Sequence, residues 1–412
     1  MAEGGESACS SDLFKEEFKR YKRRKPAPNF SDVIDFTKSS SLIKEHSLDQ
    51  DSCSDDVTRQ LCSNCGLRSV ESWKIFQVPS HPGFYYIVDP FKDGFHRHWV
   101  KQCLSEYPHL PNVSNLDAHL PGRPSDLWQD ALHQRQSDHA GWLSSNSLIQ
   151  RLRWVTLGYH YDWTNKVYYK EKVSPVAADV DELCGVMARV LKFDEFKAEA
   201  GIVNFYHLDS TLSGHTDHSE FDLTAPLFSI SFGQDAIFLL GGHERSARPV
   251  AMMVRSGDAM VMSGEARMAY HAVPRVFPTT VKPLEVDSIV SDDEWTPYGE
   301  YMHASRVNLN IRQVLRPGEG FPDVPYPTAC TAAAACSTGE THGRVPDQCA
   351  SSGTAQATAS AATDVTGSLP PSNGLNSSHI AHEQGLPQSP NERTTHGREA
   401  AEPSCKRRLV DL

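Results

Sequence analysis

The stretch SRVNLNIR, residues 305–312, carries the clearest fold signal in this 412-residue chain. Val307, Leu309 and Ile311 alternate with polar residues, which is the period of a strand whose two faces differ. The other face carries two arginines and two amides, which are Arg306, Asn308, Asn310 and Arg312. A solvated outer face explains this row. That explanation is favoured for a strand taken alone, but a site for a small dicarboxylate also requires such a row, because arginine binds carboxylates bidentately.

Short runs with the same period of two precede this strand, and Gly, Pro and Asp separate them. They are AGIVNFYHL, LFSISFG, AIFLLGG, VAMMV and AMVMSG, between residues 200 and 264. Before them, residues 178–197 place Val180, Leu183 and Met187 at helical spacing, which predicts an amphipathic helix. Many short strands after a helical layer favour a β-sandwich or jelly roll over alternating βαβ units. The predicted class is a mainly β, α+β core with supporting helices.

Three copies of His-x-Asp suggest a metal site, because residues i and i+2 of an extended chain point to the same side. The copies begin at His160, His207 and His215. Asn204 and Tyr206 share one face of a predicted strand, and His207 lies on the other face. If the first two residues line a site, His207 points away from it. The copy at His207 is therefore a weak candidate.

His215 and Asp217 follow Gly214, where a turn can direct two ligands toward the interior. A third ligand is needed, and His271 is available after two short predicted strands. Two histidines and one carboxylate, with coordination positions left open, form the facial triad of non-haem Fe(II) oxygenases. The residues therefore point to an iron site at His215, Asp217 and His271.

The combined motif set resembles that of the AlkB-like Fe(II)/2-oxoglutarate dioxygenases. The shared order is Asn-x-Tyr, His-x-Asp-x-x-Glu-x-Asp, a distal His followed by x-Val-Pro, and Arg-x-Asn-x-x-x-Arg. In this chain the order is formed by Asn204/Tyr206, His215/Asp217/Glu220/Asp222, His271 with Val273-Pro274, and Arg306/Asn308/Arg312. The resemblance covers roughly residues 75–318. Ser219 stands where some members carry an acidic residue two positions after the Asp ligand.

The resemblance implies a double-stranded β-helix, or jelly roll, that uses Fe(II), 2-oxoglutarate and dioxygen. It makes His215, Asp217 and His271 the iron ligands and the catalytic centre. It assigns the 2-oxoglutarate contacts to Asn204, Tyr206, Arg306, Asn308 and Arg312, and leaves open which arginine binds which carboxylate. The implied reaction oxidises an N-methyl group and releases formaldehyde, succinate and CO2.

Aromatic and basic residues interleave between residues 142 and 172, a composition that suits unpaired nucleic acid. Aromatic rings stack on unpaired bases, and cations follow phosphates. A core position is the alternative for several rings, Trp154 and Trp163 among them. By resemblance, a nucleotide-recognition lid covers about residues 125–175, with substrate contacts at Trp128, Tyr159, His160 and Tyr161. A base inside a duplex is out of reach, so the target must be flipped out or already unpaired.

Three functions compete at this stage. The first is an oxidative demethylase of N-methylated bases, with methyladenine in DNA or tRNA as substrate. The second is a protein-directed oxygenase, such as a histone demethylase, that uses the same iron chemistry. The third is a lyase at abasic sites, in which a lysine amine forms a Schiff base without iron. The aromatic and basic interleaving favours the first over the second, and chelation of iron distinguishes the first from the third.

Composition limits the partners. A net charge of −12 argues against a uniformly basic coat, so nucleic acid must contact local basic patches. No apolar run approaches the roughly 20 residues of a membrane span, and the N-terminus lacks the apolar core of a signal peptide. We therefore expect an intracellular monomer with no membrane segment. The lone CxxC at Cys62 and Cys65 has no second ligand pair, so we expect free thiols.

The sequence divides into three expected regions. Residues 1–71 read as an N-terminal extension, in which a Ser- and acid-rich flexible connection runs from residue 39 to about 56. Residues 72–320 form the expected dioxygenase domain, with its jelly-roll core at about 199–318. Residues 328–412 are expected to be disordered, because their low-complexity composition cannot bury enough apolar surface.

Two short basic runs bear on the expected location of the protein. They are KRYKRRK at residues 19–25 and Lys406-Arg407-Arg408 near the C-terminus. Clusters of this kind are typical of nuclear localisation signals. We expect nuclear residence, with mitochondria as the alternative.

Overall fold

The stretch SRVNLNIR forms one complete strand, Ser305–Arg312, inside a large antiparallel sheet. The structure is a computed structural model that describes residues 11–48, 55–120, 122–137, 147–280, 284 and 294–322. All of these residues belong to one compact unit of the chain. The expected disorder at 328–412 and part of the expected lid, at 138–146, lie outside the described residues.

The described strands form two antiparallel sheets. The large sheet contains β1 Lys44–Glu45, β2 Lys74–Gln77, β3 Phe84–Val88, β4 Val113–Ser114, β5 Trp154–Asp162, β6 Val167–Val173, β7 Ala200–His207, β9 Leu227–Gly233, β12 Ala259–Met262 and β14 Ser305–Arg312. Their order is β1-β2-β3-β12-β9-β14-β7-β5-β4, and β6 pairs with β5. The small sheet contains β8 Leu212–His215, β10 Asp235–Leu240, β11 Val250–Val254 and β13 His271–Phe277, in the order β11-β10-β13-β8. The predicted strand-rich core is confirmed.

One apolar layer lies between the two sheets. Tyr86 and Met260 of the large sheet pack there with Phe238, Met252 and Val276 of the small sheet. Facing sheets with buried inner faces are the arrangement that alternating strands favour. The polar side chains of β14 point into this same space, at one end of which the candidate site lies.

Helices cover the other face of the large sheet. The apolar residues Val307, Leu309 and Ile311 of β14 are fully buried in the core that these helices complete. The described helices are α1 Leu13–Lys22, α2 Asp56–Asn64, α3 Phe95–Lys101, α4 Leu127–Ser137, α5 Leu148–Arg151, α6 Ala178–Val190 and α7 Thr296–Met302, with a π-helical turn at Gln102–Glu106 and 3-10 turns at Val70–Ser72 and Gly264–Met268. None of them is both long and apolar enough to span a membrane.

Helix α6 is shorter than the sequence predicts. The pattern extends the helix to residue 197, whereas the structure ends it at Val190. Lys192 follows with a φ of 66°, which is left-handed and ends a right-handed helix. The apolar residues Leu191 and Phe193 remain against the core, so periodic burial continues after the helix has stopped.

The described residues 11–48 pack on the two sheets, which differs from the expected extension and flexible connection. Phe14 of α1 is completely buried against the outer face of the small sheet, beside Ile237 and Leu239. Ile34 bridges to Met252 of β11. Within the predicted connection, β1 pairs with β2. The apolar side chains of this charged N-terminal segment therefore pack on the small sheet, whose strands lie much further along the sequence.

The described cysteines behave as the sequence predicts. Cys62, Cys65, Cys103 and Cys184 are buried free thiols. Burial raises the pKa of Cys62 to about 11 and that of Cys65 to about 12. Thiols that are buried and protonated are poor nucleophiles and poor metal ligands.

The packing of Phe14 gives a direct stability prediction. We expect Phe14→Ala to lower the free energy of unfolding by about 3–5 kcal/mol, because it leaves a cavity under α1. Leu42→Ala is the control, since that side chain is 52% exposed and its loss should cost little. Chemical denaturation of both variants measures the difference. Equal stabilities would contradict the packing of the N-terminal segment.

Candidate metal centre and dicarboxylate site

Two histidines lie opposite each other where the small sheet ends. His215 is the last residue of β8 and His271 is the first residue of β13, and the two residues are direct partners in the ladder. Their ring centroids are 4.3 Å apart. Because the strands are antiparallel, residues far apart in sequence occupy one position along the sheet.

Asp217 completes the cluster from the loop after β8. Its Oδ1 lies 3.8 Å from Nε2 of His215, and its Oδ2 lies 3.7 Å from Nε2 of His271. Oδ2 is buried, and among the described residues no hydrogen-bond partner reaches it. A buried carboxylate oxygen without a partner is costly, and a cation between the three ligand atoms removes that cost. The donor set therefore fits iron(II).

Both histidines are held in the tautomer that a metal needs. Nδ1 of His215 lies 2.9 Å from the carbonyl oxygen of Ser213, and Nδ1 of His271 lies 3.2 Å from that of Ala269. A carbonyl oxygen only accepts, so each Nδ1 must carry the proton that it donates. Each Nε2 then presents its lone pair to the centre of the cluster.

Electrostatics keep the ligands in their binding forms. Burial by itself would raise the pKa of Asp217, but the positive charge of Arg312 opposes it most strongly, and that pKa is held well below its usual range. Burial, with the neighbouring His215, lowers the pKa of His271 to about 4. At neutral pH the carboxylate is charged and His271 is neutral, as coordination requires.

Arg306 presents an unfilled fork beside this centre. Its Nη2 donates to Ser231 Oγ at 2.6 Å, whereas the buried Nε and Nη1 find no partner among the described residues. Burial lowers the pKa of Arg306, partly opposed by the phenols of Tyr206 and Tyr86. Unsatisfied N–H groups on a buried guanidinium fit a carboxylate ligand, which supplies both the countercharge and the acceptors. The row on β14 is therefore a buried site and not a solvated outer face.

Arg312 differs from Arg306, because the protein itself fills most of its fork. Its Nη2 lies 3.1 Å from Oδ1 of Asp217, and its Nη1 donates to Glu220 at 3.1 Å and to the Tyr168 hydroxyl at 3.4 Å. Its Nε donates to Asn310. A guanidinium has five N–H groups, so one remains for another partner. Arg312 is paired with Asp217, whereas Arg306 keeps Nε and Nη1, together with the second N–H of Nη2, for a carboxylate ligand.

The amides of the row are fixed against neighbouring strands. Asn308 lies directly opposite Asn204 in the ladder, and Arg306 lies opposite Tyr206. The Nδ2 group of Asn308 donates to Ser229 Oγ at 2.9 Å, and Asn204 Nδ2 donates to Asn308 Oδ1 at 3.4 Å. The predicted contact residues are thus brought together between β7, β14 and β9, on the inner face of the large sheet.

The structure corrects two of the predicted substrate contacts. Trp128 is 1% exposed and stacks on Tyr298, with ring centroids 4.3 Å apart, so it belongs to the core under α7. His160 is also buried, and its Nδ1 lies 2.9 Å from Thr156 Oγ1 of the same strand. His160 alternates with Tyr159 and Tyr161 along β5, so it faces away from the side that they occupy.

Tyr161 does lie on the side of the metal centre, whereas the ring of Tyr159 packs on that of Phe321, with centroids 5.0 Å apart. The Tyr161 hydroxyl lies 3.0 Å from Oγ of Ser219, two residues after Asp217. Its ring contacts that of Trp163, edge to face at 4.8 Å, and Trp163 is 47% exposed. Aromatic rings of the β5–β6 hairpin therefore extend from the protein surface to the loop after β8, which contains the ligand Asp217.

One buried residue at the site was missed by sequence reasoning. Arg267, in the 3-10 turn before β13, donates from Nη1 to the carbonyl oxygen of Asp217 at 2.6 Å and from Nη2 to Glu220 at 2.9 Å. It is 1% exposed. Arg267 stands in the short run GEARM, which shows neither strand nor helix periodicity. Only its closeness in sequence to the ligand His271 could have suggested a role.

Comparison with known proteins agrees with this geometry. The profile of the 2OG-Fe(II) oxygenase superfamily matches residues 83–312. The Homo sapiens protein named nucleic acid dioxygenase ALKBH1 is 38% identical over 341 residues, which cover 76% of this chain and 87% of the relative. The Arabidopsis thaliana protein named DNA N(6)-methyladenine demethylase ALKBH1A is 32% identical over 74% of this chain and 93% of the relative. The Schizosaccharomyces pombe protein named tRNA demethylase abh1 is 43% identical over 40% of this chain and 53% of the relative.

The fold and the site therefore define an iron- and 2-oxoglutarate-dependent dioxygenase with a jelly-roll core. The chain belongs to the 2OG-Fe(II) oxygenase superfamily, in its AlkB-like branch. The resemblance drawn from the motifs is confirmed. The matched segment contains all three predicted iron ligands and every predicted 2-oxoglutarate contact.

The choice among the His-x-Asp copies can be tested by metal binding. We expect His215→Ala to abolish detectable Mn(II) binding in calorimetry, since it removes a ligand from a three-ligand site. His207→Ala should bind Mn(II) like the unmodified protein, because its ring contacts Ser305 and the carbonyl of Gln150. Loss of the metal in His207→Ala, with retention in His215→Ala, would reverse the assignment.

The two arginines should fail in different ways. Arg306→Lys should weaken 2-oxoglutarate binding by about 1.5–3 kcal/mol, because an ammonium cannot replace a bidentate fork. Its Mn(II) affinity should stay unchanged. Arg312→Lys should weaken Mn(II) as well, since Asp217 loses its partner. Calorimetric titrations of both ligands into each variant measure this difference, and identical profiles for the two variants would contradict it.

Proposed function

We propose that this protein is an oxidative demethylase of N-methylated bases in nucleic acid, with methyladenine in DNA or tRNA as substrate. The observation that supports this proposal most directly is the β5–β6 hairpin. It holds Tyr161 against Ser219, beside the ligand Asp217, and exposes Trp163 at the surface. Aromatic rings that lead from solvent to an iron centre suit a single unstacked base.

Basic side chains accompany these rings. Lys172 lies over the ring of Tyr169, 4.4 Å from its centroid, and Lys166 and Lys170 are exposed on the same hairpin. The protein as a whole carries a net charge of −12, so attraction for phosphates must come from local clusters such as this one. This combination favours nucleic acid over a methylated protein as substrate.

The names of the relatives support the same class of substrate. The human relative is named a nucleic acid dioxygenase, and the Arabidopsis relative a DNA N(6)-methyladenine demethylase. The fission yeast relative is named a tRNA demethylase. These names cover both DNA and RNA, so the proposal includes both.

In the proposed reaction, some residues bind 2-oxoglutarate and others orient the metal ligand Asp217. Arg306 binds a carboxylate of 2-oxoglutarate, and Asn204, Tyr206 and Asn308 surround it. Iron(II) with dioxygen and 2-oxoglutarate supplies the oxidation of the N-methyl carbon, and the hydroxymethyl group then leaves as formaldehyde. Arg312 and Arg267 orient Asp217, and Tyr161 lines the approach of the base.

Formaldehyde release from methylated oligonucleotides tests the proposal. We expect single-stranded DNA or tRNA stem-loops with N-methyladenine to yield formaldehyde and succinate in equal amounts. A fully paired duplex should react more slowly, because the base must first be unstacked. Chelation of iron should stop the reaction. Formaldehyde from methylated histone peptides only, or strand cleavage at abasic sites that survives chelation, would overturn the proposal.

Two aromatic variants connect the activity to the hairpin. Tyr161→Ala should raise the KM for the oligonucleotide by about 5- to 150-fold, which corresponds to the loss of about 1–3 kcal/mol of stacking free energy, without weakening 2-oxoglutarate binding. Trp128→Ala should instead lower the free energy of unfolding by about 3–5 kcal/mol and leave KM unchanged, because that ring is in the core. Steady-state kinetics and thermal denaturation of both variants decide between the two roles.

A further inference from the structure

Glu220 accepts hydrogen bonds from three different elements of the structure. Arg267 Nη2 donates to Oε2 at 2.9 Å, and Arg312 Nη1 and the Tyr168 hydroxyl donate to Oε1 at 3.1 and 3.0 Å. The side chain is completely buried. Burial alone would raise the pKa of Glu220, but Arg312 and Arg267 outweigh it and lower that pKa, so the carboxylate is charged.

Two of these donors also hold the iron ligand Asp217. Arg312 reaches its carboxylate through Nη2 at 3.1 Å, and Arg267 reaches its carbonyl oxygen through Nη1 at 2.6 Å. Each guanidinium thus bridges Glu220 and Asp217. Two carboxylates and two guanidiniums balance their charges inside the protein, where an unpaired charge costs several kcal/mol. Glu220 therefore cannot shift without disturbing the partners of Asp217.

The third donor belongs to the β5–β6 hairpin. Tyr168 lies in β6, is 2% exposed, and packs near Tyr161 with ring centroids 5.2 Å apart. Tyr161 makes the second connection, from its hydroxyl to Ser219. The hairpin is thus attached to the two residues that lie second and third after Asp217. Its position and the position of the iron ligand are linked through buried polar contacts.

We propose that Glu220 is a positioning residue that couples the β5–β6 hairpin to Asp217, so that nucleic acid and metal strengthen each other's binding. The nucleic-acid half of this inference rests on the proposed function. A hairpin that is held by a bound base keeps Tyr168 on Glu220, and Glu220 keeps both arginines on Asp217. Coupling of this kind must be reciprocal, because binding free energies form a closed cycle.

The first experiment needs no nucleic acid. Mn(II) binding is measured by calorimetry on the full chain and on Tyr168→Phe, which removes one hydroxyl at a distance from the metal. We expect Tyr168→Phe to bind Mn(II) about 3- to 10-fold more weakly, because only part of the free energy of its hydrogen bond to the charged Glu220 is transmitted to the metal site. Tyr169→Phe is the matched control, because it removes a hydroxyl from the adjacent residue, whose ring lies under Lys172. Unchanged Mn(II) affinity in Tyr168→Phe overturns the coupling.

The second experiment measures the coupling itself. Mn(II) affinity is determined with and without a saturating single-stranded oligonucleotide that carries N-methyladenine. We expect the oligonucleotide to tighten Mn(II) by about 5-fold or more, and Mn(II) to tighten the oligonucleotide by the same factor. The factor should fall to one in Tyr168→Phe and in Glu220→Gln. A residue with only a structural role would change stability and leave the factor intact, and that outcome overturns the inference.

Failure of the inference and failure of the proposed function give different results. If the protein demethylates oligonucleotides but Tyr168→Phe keeps the full coupling factor, the inference alone is wrong. If no nucleic acid yields formaldehyde while Tyr168→Phe still weakens Mn(II), the proposed substrate is wrong and the hairpin connection is supported. Should Glu220→Gln fail to fold, Tyr168→Phe still decides the question, because it keeps the ring and all four buried charges.

Discussion

The ion pair between Arg312 and Asp217 joins the two sheets of this protein at its reactive end. Arg312 ends a central strand of the large sheet, and Asp217 follows the edge strand of the small sheet. Both side chains are buried, so separating them would leave two uncompensated charges in the interior. The spacing between the sheets is therefore fixed where the metal ligands meet. The dicarboxylate row on β14 and the histidines on β8 and β13 keep their relative positions because of this contact.

The weakest part of that arrangement is β8, which pairs with a single strand, β13, among the described residues. It is four residues long, and it ends at the ligand His215. Helix α1 supports it from outside, because Phe14 lies against Gly214, where an added Cβ would come within 2.5 Å of the ring. A glycine at this position lets the aromatic ring approach the strand closely. The N-terminal segment therefore acts on the metal centre through packing, although it supplies no ligand.

The sequence predicted the parts that depend on local pattern. The alternation in β14 predicted its two faces, and the order of the motifs predicted the three ligands. It did not predict that α1 is part of the fold, because a short, highly charged helix looks the same whether it is docked or free. It also misplaced Trp128, since an aromatic ring suits a core and a base equally well. Only the neighbours, here Tyr298 and α7, distinguish the two roles.

The two arginines of the motif show the same principle at the site itself. They lie on one face of one strand, and their sequence context gives each the same capacity for a carboxylate. Their surroundings differ. Arg312 donates hydrogen bonds to Asn310, Tyr168 and Glu220 and is ion-paired with Asp217. In Arg306, by contrast, Nε and Nη1 are buried and have no partner within the part of the chain that the structure describes. A buried guanidinium with unsatisfied N–H groups can bind a ligand strongly. A guanidinium whose N–H groups are already bonded to the protein instead fixes the positions of its partners. The two arginines of one motif therefore differ in their contacts: Arg312 is tied to Asp217 and Glu220, whereas Arg306 keeps donors directed at the space between the sheets.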